Sequence, residues 1–512
     1  MRPVRMLASI LTVGGWTLMS RILGFVRDVL IASFLGPGMA MDAFVAAFRL
    51  PNMFRRFFAE GAFNAAFVPM FSKRLEAGED PDGFGSLALS GLALVLLGLT
   101  GVAMIFMPAL VYATAEGFAG DARFDLTVEY GRVVFPYILF ISLAALFSGA
   151  LNASGRFAAA AAAPVLLNIM LVTAMLTAWY FGGAVVQALI WTIPFAGVAQ
   201  LALVWVAARR AGMNIRPVRP RWTPDMAQLV RIAIPAALAG GVMQINLLVG
   251  QQVASHYDKA VSWLYSADRL YQLPLGVVGI AVGIVLLPDL SRRLKADDHH
   301  GSREALSRAG EMSLALTIPS AVALMVIPIP LVTVLFERGA FGVDDTAATA
   351  LAVTIYGLGL PAFVLQKLLQ PIFFAREDTK TPFRYALVAM VINAGLAIGL
   401  AIYVGWVAAA IATTVAGWAM VGLLALGARQ FGEVARFDRR FWSRIWRIVL
   451  ASGAMGGVLW FVGLSLNPFI LMPGIRWIAL LVLIVAGAGS YFIAGRLLGA
   501  FRKGELRAAF KR

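Results

Sequence analysis

The sequence predicts an all-α polytopic membrane protein, with about 14 transmembrane helices arranged as two parallel six-helix repeats plus two C-terminal helices. Three observations predict it. The 512 residues are 60% hydrophobic and only 14% charged, where a soluble domain carries about 25% charge, and the mean hydropathy is +0.82. Apolar runs of about 20 residues, each able to cross roughly 30 Å of hydrocarbon, recur along the whole chain. These runs are continuous, whereas a β-barrel needs alternation of period two.

Taken in order, the expected spans are 6–34, 40–72, 85–112, 128–152, 158–181, 184–208, 226–255, 261–290, 305–335, 346–375, 383–404, 406–428, 444–466 and 474–498. The opening "MRPVRMLASILTVGGWTLMSRILG" has the basic start and apolar run of a signal peptide. Arg21 follows instead of a small-residue cleavage site, so it reads as a retained first span. The 40–72 and 261–290 runs are longer than a bilayer requires, so those helices tilt, kink or extend into water.

The formal net charge is +16. In a soluble protein that would suggest a nucleic-acid partner; here it follows the loops. One alternating set of loops holds about 31 of the 43 basic residues, and the other holds Arg123, Lys259, Arg338 and Arg476. The positive-inside rule then puts both termini in the cytoplasm, and no nucleic acid is expected. The absence of cysteine excludes disulfides, thiolate nucleophiles and cysteine metal sites. His256, His299 and His300 have no second set of ligands near them in sequence, so no metal and no cofactor is expected. There is no G-x-x-x-x-G-K-[ST], no H-E-x-x-H, and no loop long enough for a soluble catalytic domain. The expectation is a transporter and not an enzyme.

An internal repeat organises the spans. Phe135-Pro136 and Leu360-Pro361 are about 225 positions apart, and Asn168 meets Asn393 at the same offset. "PMFSKRL" resembles "PDLSRRL" and "AFRL" resembles "ADRL", in the same order. Lobes of six helices are therefore expected at 1–210 and 226–429, with 444–498 and a basic tail at 499–512 outside the repeat. An even helix number makes the copies parallel, and transporters bind cargo at such repeat interfaces.

Charge remains inside the spans: Arg21, Arg27, Arg49, Arg55, Arg56, Arg132, Arg269 and Lys367, with Asp28, Asp42, Glu60 and Asp268 as the nearby acids. A charge at a helix centre costs about 2.5–3.5 kcal/mol on insertion scales. These groups must line a wet cavity, pair, or reach the interface. At 100° per residue, Asp42, Arg49, Arg56 and Glu60 fall within about 40° of one another, and Arg21 and Asp28 within about 20°. Arg132 reads as an interfacial residue, and Asp28 beside an arginine reads equally as a structural ion pair. The sum is still cationic. A cationic surplus predicts an anionic guest, and the arginine fork suits phosphate oxygens.

The stretches "SRILGFVRDVLIASFLGPGMAMDAF", "LPNMFRRFFAEGAFNAAFVP", "YSADRLYQLPLGVVGIAVGIVLLPDLSR" and "FFAREDTKTP" resemble the MurJ (MviN) family of bacterial lipid II flippases, within the multidrug/oligosaccharidyl-lipid/polysaccharide exporter superfamily. The resemblance covers essentially the whole chain. It implies a bacterial inner-membrane protein with two lobes around a cationic cavity. That cavity would bind lipid II, the polyprenyl-diphosphate precursor of peptidoglycan, and export it by alternating access. Substrate-binding roles carry over to Arg21, Arg27, Asp28, Arg55, Arg56, Glu60 and Arg269, with Asp42, Arg49, Asp268 and Lys367 as secondary candidates. Spans 13 and 14 would form an apolar groove for the lipid tail. Membrane lipids, and proteins of the cell-wall synthesis machinery, are the implied partners. Some members bind sodium through acids on helices 7 and 11. Here "GGVMQINLLVGQQV" and "VINAGLAIGL" carry Asn246 and Asn393 and no acid, so sodium coupling is not expected. The alternatives are a flippase for an O-antigen-type lipid oligosaccharide, or a multidrug exporter of the same superfamily.

Overall fold

The computed structural model describes residues 3–55, 63–281, 286–296 and 298–501; Arg56 and Glu60, two of the expected site residues, lie outside them. The regular elements are helical. The first eleven are α1 (Pro3–Leu35), α2 (Met39–Arg55), α3 (Phe63–Ala77), α4 (Pro81–Ile105), α5 (Met107–Thr114), α6 (Ala122–Val134), α7 (Tyr137–Ala153), α8 (Ala158–Tyr180), α9 (Val185–Arg210), α10 (Pro224–Ser255) and α11 (Ala260–Ala281). They are followed by α12 (Leu287–Lys295), α13 (His299–Val326), α14 (Pro328–Leu335), α15 (Val343–Phe374), α16 (Lys380–Val404), α17 (Val407–Ala428), α18 (Arg439–Ile470) and α19 (Arg476–Leu497).

Among the described residues, ten helical segments are long and apolar enough to cross a membrane. The other four expected runs carry α1, α2 with α3, α10, and α11 with α12. Large apolar side chains such as Leu94, Ile105, Val391, Ile398, Phe461 and Leu481 are exposed. Helices suit such surroundings because each satisfies its own backbone hydrogen bonds where lipid replaces water.

The chain divides into two compact units, Met1–Ser262 and Trp263–Arg512, with the boundary inside α11. In the first unit α1 packs on α8, α2 on α6, α3 on α7, and α7 and α8 both on α9; α10 lies against α3. Its core includes Phe67, Phe71, Phe84, Phe135 and Phe147. Phe67 stacks on Phe63 and Phe84 with centroids 5.4 and 5.7 Å away. Pro108 opens α5 and supplies no N–H, so the fourth-residue partner of the Met104 carbonyl is missing. Arg132 fills the gap: its Nε donates to that carbonyl at 3.2 Å from an exposed position.

In the second unit α15 and α16 pack on α17, α13 on α15 and α18, and α18 on α19. Pro328 opens α14 after α13 as Pro108 opens α5 after α4. The "FFAREDTKTP" stretch forms the turn between α15 and α16. Glu377 takes a left-handed φ of 60°, and Asp378 Oδ1 accepts the Thr381 N–H at 3.0 Å. That bond holds the Asp378 carboxyl below its usual range. Where α13 meets α18, the buried Glu311 accepts from Arg308 at 2.5 Å and Arg444 at 3.3 Å, with Arg440 3.7 Å away. Glu311→Gln leaves these guanidiniums facing one another. Because Arg440 is well exposed, the pair energy is partly screened, and the expected loss is about 2 kcal/mol. It should appear as a lower unfolding temperature in detergent, and an unchanged temperature would contradict it.

Candidate functional site

The charged part of α1 is built on one face by Ser20, Gly24, Arg27 and Asp28. Arg27 folds back on its neighbour: Nε and Nη2 donate to Asp28 Oδ1 at 3.0 and 2.7 Å. Its Nη1 reaches across to α8 and donates to Asn168 Oδ1 at 2.8 Å. Asn168 completes the bridge by donating Nδ2 to the Ser20 carbonyl at 3.0 Å. Gly24 lies beside this contact: a Cβ there would sit 3.5 Å from the Asn168 amide nitrogen, an ordinary packing distance. Asp28 is only 3% exposed, and the Arg27 guanidinium lies against it as a counter-charge.

Arg21 lies about two turns before Asp28 and is exposed, with no acid partner among the described residues. On α2, Arg49 and Arg55 are half-buried, and Arg55 Nε donates to Asn52 Oδ1 at 3.4 Å. Pro51 interrupts the ladder between them. Asp42, on the same expected face, is fully buried at the start of α2. Its Oδ1 accepts the Ser262 N–H at 2.9 Å and the Ser262 hydroxyl, and its Oδ2 lies 3.7 Å from Arg123.

Arg123 differs from the sequence reading. It counts among the loop residues by sequence, yet it opens α6 and is buried. It meets Asp121 at 2.5 Å and Asp258 at 3.8 Å, and lies 4.8 Å over the Phe118 ring. Two of the carboxylates that surround it, Asp42 and Asp258, lie far away in sequence, so local polarity alone did not signal its burial.

In the second unit, Arg269 and Asp268 adjoin on α11, with Arg269 Nη2 3.7 Å from Asp268 Oδ2. The guanidinium lies 4.5 Å over the Tyr265 ring, and Gln272 donates to Asp268. Tyr271 packs against Tyr356 and Phe363 at 5.1 and 5.6 Å. Both Arg269 and Asp268 keep about a quarter of their side-chain surface open, at 28% and 25%. Lys367 is exposed on α15. The fork of Arg269 thus combines partial exposure with a ring backing, a geometry that holds oxyanions. No group of three or more His, Asp or Glu side chains placed to hold a metal ion occurs among the described residues. Asn393 is buried on α16, and the Asn246 side chain lies outside the described set.

Sequence reasoning singled out Asn168 only as a repeat position, and the structure makes it the link between Arg27 and α8. The signal available was the matching asparagine at Asn393, a buried amide in an otherwise apolar helix.

The family model for the lipid II flippase MurJ matches residues 31–476. The chain belongs to that family. A probable lipid II flippase MurJ of Rhizobium tropici is 44% identical over 98% of this chain and 96% of its own length. A lipid II flippase MurJ of Burkholderia cenocepacia is 35% identical over 75% of this chain and 76% of its own. Among solved structures, a lipid II flippase MurJ in an inward closed conformation superposes with a TM-score of 0.79 at 26% identity, covering 95% of this chain and 99% of the other. An inward-facing multidrug MATE transporter superposes at 0.69 with 16% identity, which shows a shared fold alone. The chain is therefore a multi-pass membrane transporter and not an enzyme: a flippase moves its cargo between leaflets without making or breaking a bond.

Proposed function

We propose that this protein moves lipid II from the cytoplasmic to the outer leaflet by alternating access. The observation that carries the reading is membership of the lipid II flippase family over nearly the full chain, joined to arginines placed inside apolar helices. Lipid II carries a diphosphate between a polyprenyl chain and a bulky polar head. Arg21, Arg27, Arg55 and Arg269, with Arg56 and Lys367, bind the diphosphate. Asp28, Glu60 and Asp268 set the position and net charge of those cations, Arg49 adds to them, and Asp42 acts on the same helix through Ser262 and Arg123.

The spans number fourteen, in two parallel repeats of six. Support comes from the paired proline breaks at Pro108 and Pro328, the buried Asn168 and Asn393, and the like packing of α7 and α8 on α9 and of α15 and α16 on α17. The lobes run 1–210 and 226–429, and both termini face the cytoplasm, as loop charge requires. α18 and α19, whose Trp460, Phe461, Leu481 and Val485 are exposed, carry the polyprenyl tail. Anion binding relieves repulsion among the arginines and so favours the state in which they lie closest, which is the differential affinity that any ligand-driven change requires. The membrane potential assists, since moving one charge through 100 mV is worth about 2.3 kcal/mol. An inside-negative potential drives the anion outward and returns the empty cationic site.

The test is the sidedness of lipid II in cells depleted of this protein. Accumulation on the cytoplasmic face is expected. Undiminished outward delivery would assign the chain to another polyprenyl-diphosphate cargo.

A further inference from the structure

We propose that the first unit holds a binding site for an anionic phospholipid of the cytoplasmic leaflet, set between α1, the α7–α8 turn, α8 and α9 and separate from the charged stripe of α1. A cavity of about 910 Å³ opens there. Its size falls within the usual range for small-molecule sites, which are concave, mostly apolar and fitted with a few polar groups. The cause of the cavity is sequence: Ala158, Ala159, Ala199, Ala202 and Ala207 face it where larger side chains would fill it. Such walls suit a flexible acyl chain and offer nothing to a sugar or a peptide.

The charge sits at one end. Arg156, in the turn after α7, and Arg210, at the end of α9, both line the cavity and are exposed. Neither has an acid partner among the described residues. The neighbouring Arg209 is otherwise engaged: it donates to Asn214 at 2.6 Å and lies 5.7 Å from the centroid of the Trp205 ring. Two guanidiniums over an apolar chamber match a lipid phosphate with its chains below it. A polar headgroup with net negative charge is favoured over a zwitterion, because no carboxylate among the described residues lines the cavity to meet a choline or ethanolamine. The loop charge that orients the chain places this end in the cytoplasm, so the lipid comes from the inner leaflet; the proposal rests on the functional reading for that orientation only.

The experiment uses the full-length protein in detergent, with phosphatidylglycerol as the probe and native mass spectrometry as the readout. Two variants attack the site by different routes. Arg156→Gln with Arg210→Gln removes the phosphate contacts, and Ala202→Phe fills the chamber from an exposed position without touching the core. Each should weaken the tightest bound lipid about tenfold, while Arg429→Gln, elsewhere on the same side, should not. Unchanged affinity in Ala202→Phe, or equal loss in Arg429→Gln, would overturn the site. Displacement of the lipid by inorganic phosphate alone would reassign it to a soluble anion. Stronger retention of undecaprenyl diphosphate than of phosphatidylglycerol would make it a station for the cargo and overturn the phospholipid assignment. The readout is binding, so its failure leaves the flippase reading untouched.

Discussion

Arg269→Glu is expected to abolish growth rescue in a strain depleted of its lipid II flippase, while Arg269→Lys retains part of it. Arg269 keeps an open face, a ring at its back and one acid 3.7 Å away. Reversal places a second carboxylate beside Asp268 and turns a phosphate-attracting point into a repelling one. At about 4 Å and an effective dielectric near 20, one unit pair is worth about 4 kcal/mol. Swapping attraction for repulsion therefore removes well over a hundredfold of diphosphate affinity. Lysine keeps the charge and loses the fork, so its deficit should stay near tenfold. Asp268→Asn tests the same logic in the opposite direction: it raises the local positive charge and should leave transport closer to wild type than either arginine change. The measurements are rescue and the sidedness of lipid II, at membrane levels of protein matched to wild type. Full rescue by Arg269→Glu at normal abundance would remove Arg269 from the cargo path.

The second large effect is on stability as well as transport. Arg27→Ala leaves the Asp28 carboxylate buried without its guanidinium and strips Asn168 Oδ1 of its donor. Breaking a buried pair from one side costs about 3–5 kcal/mol. Asn168→Ala removes one neutral bond and one from the Arg27 guanidinium, leaves no buried charge behind, and should cost about 2 kcal/mol. The informative variant replaces both charges, Arg27→Leu with Asp28→Leu. Neither leaves a buried charge behind, so most of the unfolding temperature should return. Transport should not return if Arg27 also meets the diphosphate. Recovery of both stability and rescue would show that the pair only joins α1 to α8. Failure of the double variant to regain stability would mean that the bridge through Asn168 matters more than the charge it neutralises.

Much of the membrane architecture was readable because lipid imposes a blunt rule. An apolar run of sufficient length has few alternatives to a helix, and runs such as 158–181 and 383–404 return as α8 and α16 within a few residues of their expected limits. Breaks inside spans were less readable. The 85–112 run becomes α4 and α5 because Pro108 removes one donor, a local event that hydropathy averages away. At the candidate site, the neighbouring pair Arg27 and Asp28 was visible in the sequence, since charge stands out against an apolar ground. Its partner Asn168 lies 141 positions away, and nothing local to either residue records the contact. Arg123 was misplaced for a related reason. A short polar stretch reads as a loop; Asp121 caps the helix start locally, and the tertiary meeting with Asp42 and Asp258 accompanies its burial. Arg49 and Arg55 share a helix with Asp42, yet periodicity alone did not reveal that Ser262 and Arg123 engage Asp42 at the helix start.

The link between Arg27 and Asn168 also bears on how the chain is made. α1 leaves the ribosome first, while its polar clasp on α8 is still untranslated. During that interval the helix must hold Arg21, Arg27 and Asp28 at the membrane without the Asn168 contact, at a cost of about 2.5–3.5 kcal/mol for each charge brought to the bilayer centre. Settling of the N-terminal helix is thus tied to the emergence of its eighth, so a ribosome stalled before Asn168 should leave α1 open to labelling from water that the finished protein excludes.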